Sequence, residues 1–69
     1  MFHERLKEAR LKNKYSQEEI AEKLNIARSN ISKYENGNLE PNLTLLRDFC
    51  KNYNVSADYL LEIEGNSNE

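Results

Sequence analysis

Apolar residues recur at three- and four-residue spacing along this chain, and the gaps between the runs fall on residues that start or stop helices. Nothing alternates with period two while carrying a β-branched or aromatic run, so no strand is expected. Five short helices are predicted, with only short connections between them. The first runs from Phe2 to Lys12, and Phe2, Leu6 and Ala9 make its inward stripe, with Arg10 beside it. Asn13 or Lys14 ends it. Asparagine tolerates the left-handed conformation better, so either Asn13 takes that conformation or Lys14 bears some strain. Ser16 opens the second helix with capping-box spacing to Glu19, and Ile20, Ala21 and Leu24 face inward. Tyr15 and Ile26 flank it as apolar anchors, and Asn25 supplies a positive φ in the connection.

The third helix begins near Ala27 or Arg28 and stops at Gly37, which suits the position where a Cβ is unwelcome. Its inward set is Ala27, Ile31 and Tyr34/Glu35. Its outward set is Arg28, Ser29, Ser32, Lys33 and Asn36, with Asn30 at the border. Pro41-Asn42 launches the fourth helix, whose apolar face reads Leu43, Leu46, Phe49/Cys50 and Tyr53. Asn54 closes it, and Ser56 caps a fifth helix reaching Leu61. Residues 1–62 are expected to form the domain and residues 63–69 a polar C-terminal tail.

Composition excludes several classes of function. A chain of 69 residues makes one small domain with a modest core. No run approaches the roughly 20 apolar residues of a membrane helix, and the charged opening residues do not read as a signal peptide. Cys50 stands alone, so no disulfide framework exists, and it reads as a small core side chain. A reducing, cytoplasmic setting is expected. His3, the one histidine, reads as a surface side chain near the terminus. No phosphate-cradling glycine loop, zinc spacing or nucleophile arrangement occurs, so neither an enzyme nor a cofactor is expected, and no small-molecule ligand is evident.

Formal net charge is −2, which does not advertise nucleic-acid binding. Its distribution does not forbid it. Residues 1–39 hold eight Lys/Arg against six Asp/Glu, whereas residues 40–69 hold two against six. A phosphate feels charge only within about 8 Å in physiological salt, so a locally basic face can work beside an acidic tail. Helices two and three, joined by a tight turn, describe a helix-turn-helix. Glu35, the third helix's lone carboxylate, falls inward. The outward arginine, lysine, serines and asparagines match the donors and acceptors of a DNA major groove.

The segment SQEEIAEKLNIARSNISKYENGNLEP resembles, nearly position for position, the helix-turn-helix of the lambda-repressor/Cro-like (XRE) family. The likeness extends from LKEARLKNKYSQ to NVSADYLLE, about residues 5–62. It implies an all-α, five-helix fold with the helix-turn-helix at helices two and three, and a sequence-specific regulator of transcription that binds double-stranded DNA. It also implies that Gln17 contacts a phosphate and buttresses the third helix. Arg28, Ser29, Ser32 and Lys33 would face bases or the adjoining backbone, Asn30 would touch a phosphate from the helix border, and Asn36 and Asn38 would bind phosphates beyond the helix end. Arg10 and Glu35 resemble a structural pair common in the family. Lys14, Asn25 and Asn54 stand where glycine is usual, and Ala27 stands where serine or threonine usually caps the third helix.

Leu45 lies off the inward stripe of the fourth helix, and Tyr59, Leu60, Leu61 and Ile63 offer more apolar surface than one short helix needs, so a homodimer contact through Leu45, Tyr59, Leu61 and Ile63 is expected. Such a dimer would read an approximate inverted repeat. Repression is the expected outcome, because no activating or ligand domain is evident. The competing reading is an interaction or dimerisation module of a larger regulator or of a toxin–antitoxin pair.

Overall fold

The computed structural model describes residues 1–62 and contains five helices, α1 (Phe2–Lys12), α2 (Gln17–Leu24), α3 (Arg28–Asn36), α4 (Leu43–Tyr53) and α5 (Ala57–Leu61). Ile63 and the proposed polar tail lie outside the described residues. Three helices open on the expected side-chain caps. Ser16 Oγ accepts from the Glu19 amide at 2.9 Å while Glu19 Oε1 accepts from the Ser16 amide at 2.8 Å. Asn42 Oδ1 accepts from the Leu45 amide at 2.8 Å, and Ser56 Oγ from the Tyr59 amide at 3.0 Å. Each such cap satisfies an amide with no partner inside its helix and is worth about 1 kcal/mol. α3 starts without one, because Ala27 has no oxygen to offer.

The helix ends are left-handed at Asn25 (φ 58°), Gly37 (φ 81°) and Asn54 (φ 56°), as their residue types suggest. After α1 the strained alternative holds. Lys14 takes φ 60°, whereas Asn13 stays at φ −88°. Asn13 is engaged otherwise: its Nδ2 donates to the Ala9 carbonyl at 2.8 Å and to the Tyr53 carbonyl at 3.0 Å, tying the ends of α1 and α4 together. Lysine gains nothing local from a left-handed backbone, so Lys14→Gly is expected to stabilise the fold by about 0.5–1 kcal/mol. For a domain of this size that raises Tm by about 2–8 °C, readable by thermal unfolding. Asn25→Gly should move Tm less, because asparagine already tolerates the conformation.

All five helices contribute to one core. Leu6 and Ala9 come from α1, Ile20 and Ala21 from α2, Ile31 and Tyr34 from α3, Phe49 and Tyr53 from α4, and Leu60 from α5. Tyr15, Leu24, Ile26, Leu45, Leu46 and Cys50 pack around its edge. Phe49 sits edge-on to Tyr34, with ring centroids 5.9 Å apart, and stacks on Tyr53 at 5.7 Å. α3 packs against both α1 and α2, which holds the two halves of the helix-turn-helix on one scaffold.

Four expected burials differ. Ala27 is exposed. Its backbone is extended (φ −70°, ψ 141°), so helical spacing does not govern where its methyl points. Leu43 is 78% exposed, while Leu45 is half-buried against the core. The buried stripe of α4 runs through Leu45, Phe49 and Tyr53 at four-residue spacing, and two residues along a helix is a rotation of about 200°. His3 is half-buried rather than a free surface side chain. No helix among the described residues is long and apolar enough to cross a membrane.

Candidate nucleic-acid interface

The turn between α2 and α3 is set by Asn25 and by the Ile26 amide, which donates to the Ala21 carbonyl at 2.9 Å. Ile26 then packs onto the core. A left-handed residue followed by an anchored apolar one fixes the angle at which α3 leaves the turn.

α3 divides cleanly. Ile31, Tyr34 and Glu35 are buried, whereas Arg28, Ser29, Lys33 and Asn36 are exposed, and Asn30 and Ser32 lie at the borders. Gln17, Arg28, Ser29, Ser32 and Lys33 together line one shallow, open hollow across the start of α2 and the outward face of α3. No carboxylate lines it. Neither Arg28 nor Lys33 is engaged in an ion pair among the described residues. Beyond the hollow, Asn36 Nδ2 lies 3.4 Å from Ser32 Oγ, and Asn38 is exposed past Gly37 with its amide donating to the Lys33 carbonyl at 2.9 Å.

Glu35 is held from two sides. Arg10 Nε donates to Glu35 Oε2 at 2.6 Å and Arg10 Nη2 to Glu35 Oε1 at 3.1 Å, a bidentate pair in which both residues are at most 7% exposed. Arg10 Nη1 donates to the Tyr15 carbonyl at 2.8 Å, so the guanidinium is committed to α1, the α1–α2 connection and α3 at once. Gln17 Nε2 donates to Glu35 Oε1 at 3.1 Å, joining the start of α2 to the end of α3. An amide nitrogen has two hydrogens, so one donor of Gln17 remains for an outside acceptor. The arrangement hides the one carboxylate of α3 and neutralises it, leaving the outward face cationic and rich in hydrogen-bond donors.

Every candidate backbone- or base-facing residue is therefore on or beside a single face, although Asn30 is partly buried. The apolar candidates are more scattered. Leu45 and Tyr59 are half-buried against the core, and Leu61 is 45% exposed. Leu61 lines a small hollow with Phe2, Glu40, Pro41 and Leu46. Two interactions have no signal in helical spacing. Arg5 Nη1 donates to the Tyr59 carbonyl at 2.8 Å while its guanidinium lies 4.8 Å from the Tyr59 ring centre, joining α1 to α5. The His3 imidazole lies against Gly37.

The Helix-turn-helix family profile matches residues 6–60. The chain is 53% identical over 57 residues to the HTH-type transcriptional regulator ImmR of Bacillus subtilis (strain 168), covering 83% of this chain and 45% of that protein. It is 44% identical over 62 residues to the SPbeta prophage-derived uncharacterized HTH-type transcriptional regulator YonR of the same organism, covering 90% of this chain and 57% of the relative. Over 63 residues it is 38% identical to the HTH-type transcriptional activator BcrR of Enterococcus faecalis, covering 91% of this chain and 31% of that relative. The chain belongs to the lambda-repressor/Cro-like helix-turn-helix family of transcription-regulator domains. It spans about half the length of the first two relatives.

Proposed function

We propose that this domain binds double-stranded DNA sequence-selectively, with α3 in the major groove, and that it does so as a homodimer reading an inverted repeat and repressing transcription. The observation that supports this most is the carboxylate-free hollow formed by Gln17, Arg28, Ser29, Ser32 and Lys33. Its donors suit the acceptor pair of guanine and the phosphate oxygens around it. Gln17 contacts a phosphate through its free amide hydrogen, and Asn36 and Asn38 do so past the end of α3. Asn30 does so from the helix border. Arg28 and Ser29, in the first turn, reach bases, and Ser32 and Lys33 reach bases or the adjoining backbone.

A two-fold dimer sets two such faces about 34 Å apart along one side of the duplex. The exposed Leu61, which lines the hollow with Phe2, Pro41 and Leu46, and the exposed Leu43 are the proposed contact with the second copy. Residues 1–62 act as the DNA-binding unit in this reading, in the cytoplasm with the chromosome.

Selection of bound sequences from random DNA is expected to return an approximate palindrome. Affinity for it should fall with salt, with a logarithmic slope of about 0.9 per phosphate neutralised. Arg28→Ala should weaken the selected duplex by about 1–3 kcal/mol and relax preference at one position of each half-site, whereas a phosphate contact would lose affinity on all sequences alike. A reporter driven from a promoter overlapping the palindrome should fall when the protein is supplied; a rise would overturn repression and leave DNA binding standing.

The second reading, a protein-interaction module, draws on the exposed Leu43 and Leu61. It predicts that Leu61→Asp abolishes partner binding while Arg28→Ala and Lys33→Ala change nothing. Flat titrations with any duplex in dilute buffer would favour it.

A further inference from the structure

His3 projects from the first turn of α1 onto the C-terminal end of α3. Its ring covers Gly37: a Cβ built on that glycine would lie 3.0 Å from His3 Nδ1, 3.3 Å from Cε1 and 3.4 Å from Cγ. Gly37 is thus constrained twice, by its left-handed backbone and by the imidazole packed over it. On either side of it in sequence stand the exposed Asn36 and Asn38.

We propose that His3 is a further DNA-backbone contact residue, one that binds a phosphate at the end of α3 only when its imidazole is protonated. This rests on the reading of Asn36 and Asn38 as phosphate-facing. The imidazole lies against the glycine between them and is only half-buried, which leaves ring surface for a phosphate that those amides would address. A protonated ring donates from both nitrogens and carries a positive charge, which neither asparagine has. It also sits where a helix presents its negative end.

Charged groups of both signs surround His3. In sequence its charged neighbours at the start of α1 are the Met1 amino group, Glu4, Arg5 and Lys7. Glu40 of the α3–α4 connection lines the hollow beside Phe2. From the end of α5 comes Glu62, which is paired with the amino group of Met1 and with Arg5 Nε. Those partners, the amino group above all, hold the Glu62 carboxyl below the usual carboxylate range, with a smaller contribution from His3. Glu35 is the α3 carboxylate, and it is already bound by Arg10 and Gln17.

Attribution is clean because this chain has one histidine. The Met1 amino group is pushed up by its bond to Glu62, and the Cys50 thiol is pushed up by burial. Both move away from the range between pH 5.5 and 7.5. Proton uptake in that range on binding DNA that is lost in His3→Gln therefore reports His3.

The contact is to phosphate, so the test needs no known operator. A random-sequence duplex in low-salt buffer serves as probe, titrated at pH 5.5 and at pH 7.5 with the whole chain and with His3→Gln. The wild type is expected to bind about two- to fivefold tighter per protomer at the lower pH, the size of one exposed ion pair. His3→Gln is expected to hold the weaker affinity at both. Following the imidazole ring protons by NMR with and without duplex should show the proton held to higher pH in the complex, a readout that a purely structural ring on Gly37 would not move. Binding without pH dependence, or with equal dependence in His3→Gln, overturns this inference and leaves DNA binding intact. Failure to bind any duplex at either pH overturns both.

Discussion

Glu35→Ala is expected to cost about 3–5 kcal/mol, the usual penalty for removing one partner of a buried ion pair. The variant would leave the Arg10 guanidinium at 7% exposure without its carboxylate, and it would release Gln17 Nε2 as well. A domain of 69 residues has a total stability of about 3–10 kcal/mol, so most or all of the fold is at stake. Thermal unfolding should show Tm falling by tens of degrees, and DNA affinity should fall in step with the unfolded fraction. Replacing both partners with apolar residues, as in Arg10→Met with Glu35→Leu, should recover much of the stability, because the unpaired charge is what costs most. That double variant would still lack the Gln17 link to α3, so its binding should recover less than its Tm. An unchanged Tm together with lost DNA binding in Glu35→Ala would mean that the pair acts on DNA directly rather than through the fold.

A loss of similar size is expected at Phe49. Phe49→Ala removes the ring that lies between Tyr34 of α3 and Tyr53 of α4, and phenylalanine truncations in a core cost about 3–5 kcal/mol. Part of that is area returned to water, and part is a cavity that a rigid core cannot close. The site is 0% exposed and touches the underside of α3 through Tyr34. Phe49→Leu, which leaves a smaller void, should lose about half as much. Circular dichroism melts of the two variants should rank them in that order. Equal, small losses would mean that the core collapses around position 49.

Much of this protein was legible in its sequence because the signals are local. Ser16 with Glu19, Asn42, Ser56, Gly37 and the asparagines at 25 and 54 announce helix ends through hydrogen bonds and backbone conformations that involve only a few neighbouring residues. The third helix's outward face was legible for the same reason, since one helical period sorts Arg28, Ser29 and Lys33 from Ile31 and Glu35. Resemblance to a known family then marked that face as the one expected to meet DNA, which spacing alone does not do.

Other features are set by partners far away in the chain, and no local pattern carries them. Asn13 leaves the left-handed position to Lys14 because its amide bonds the Tyr53 carbonyl, 40 residues on. Leu43 turns outward and Leu45 inward because α4 rotates to place Phe49 and Tyr53 in the core. Arg10 is occupied by Glu35 and Tyr15 together. His3 meets Gly37 only because α1 crosses the end of α3. Sequence thus determined which helices form, where they start and stop, and which face of α3 is polar. Tertiary packing decided which stripe of each helix is buried and which polar groups are already spoken for, because both depend on what the other helices bring to the same place.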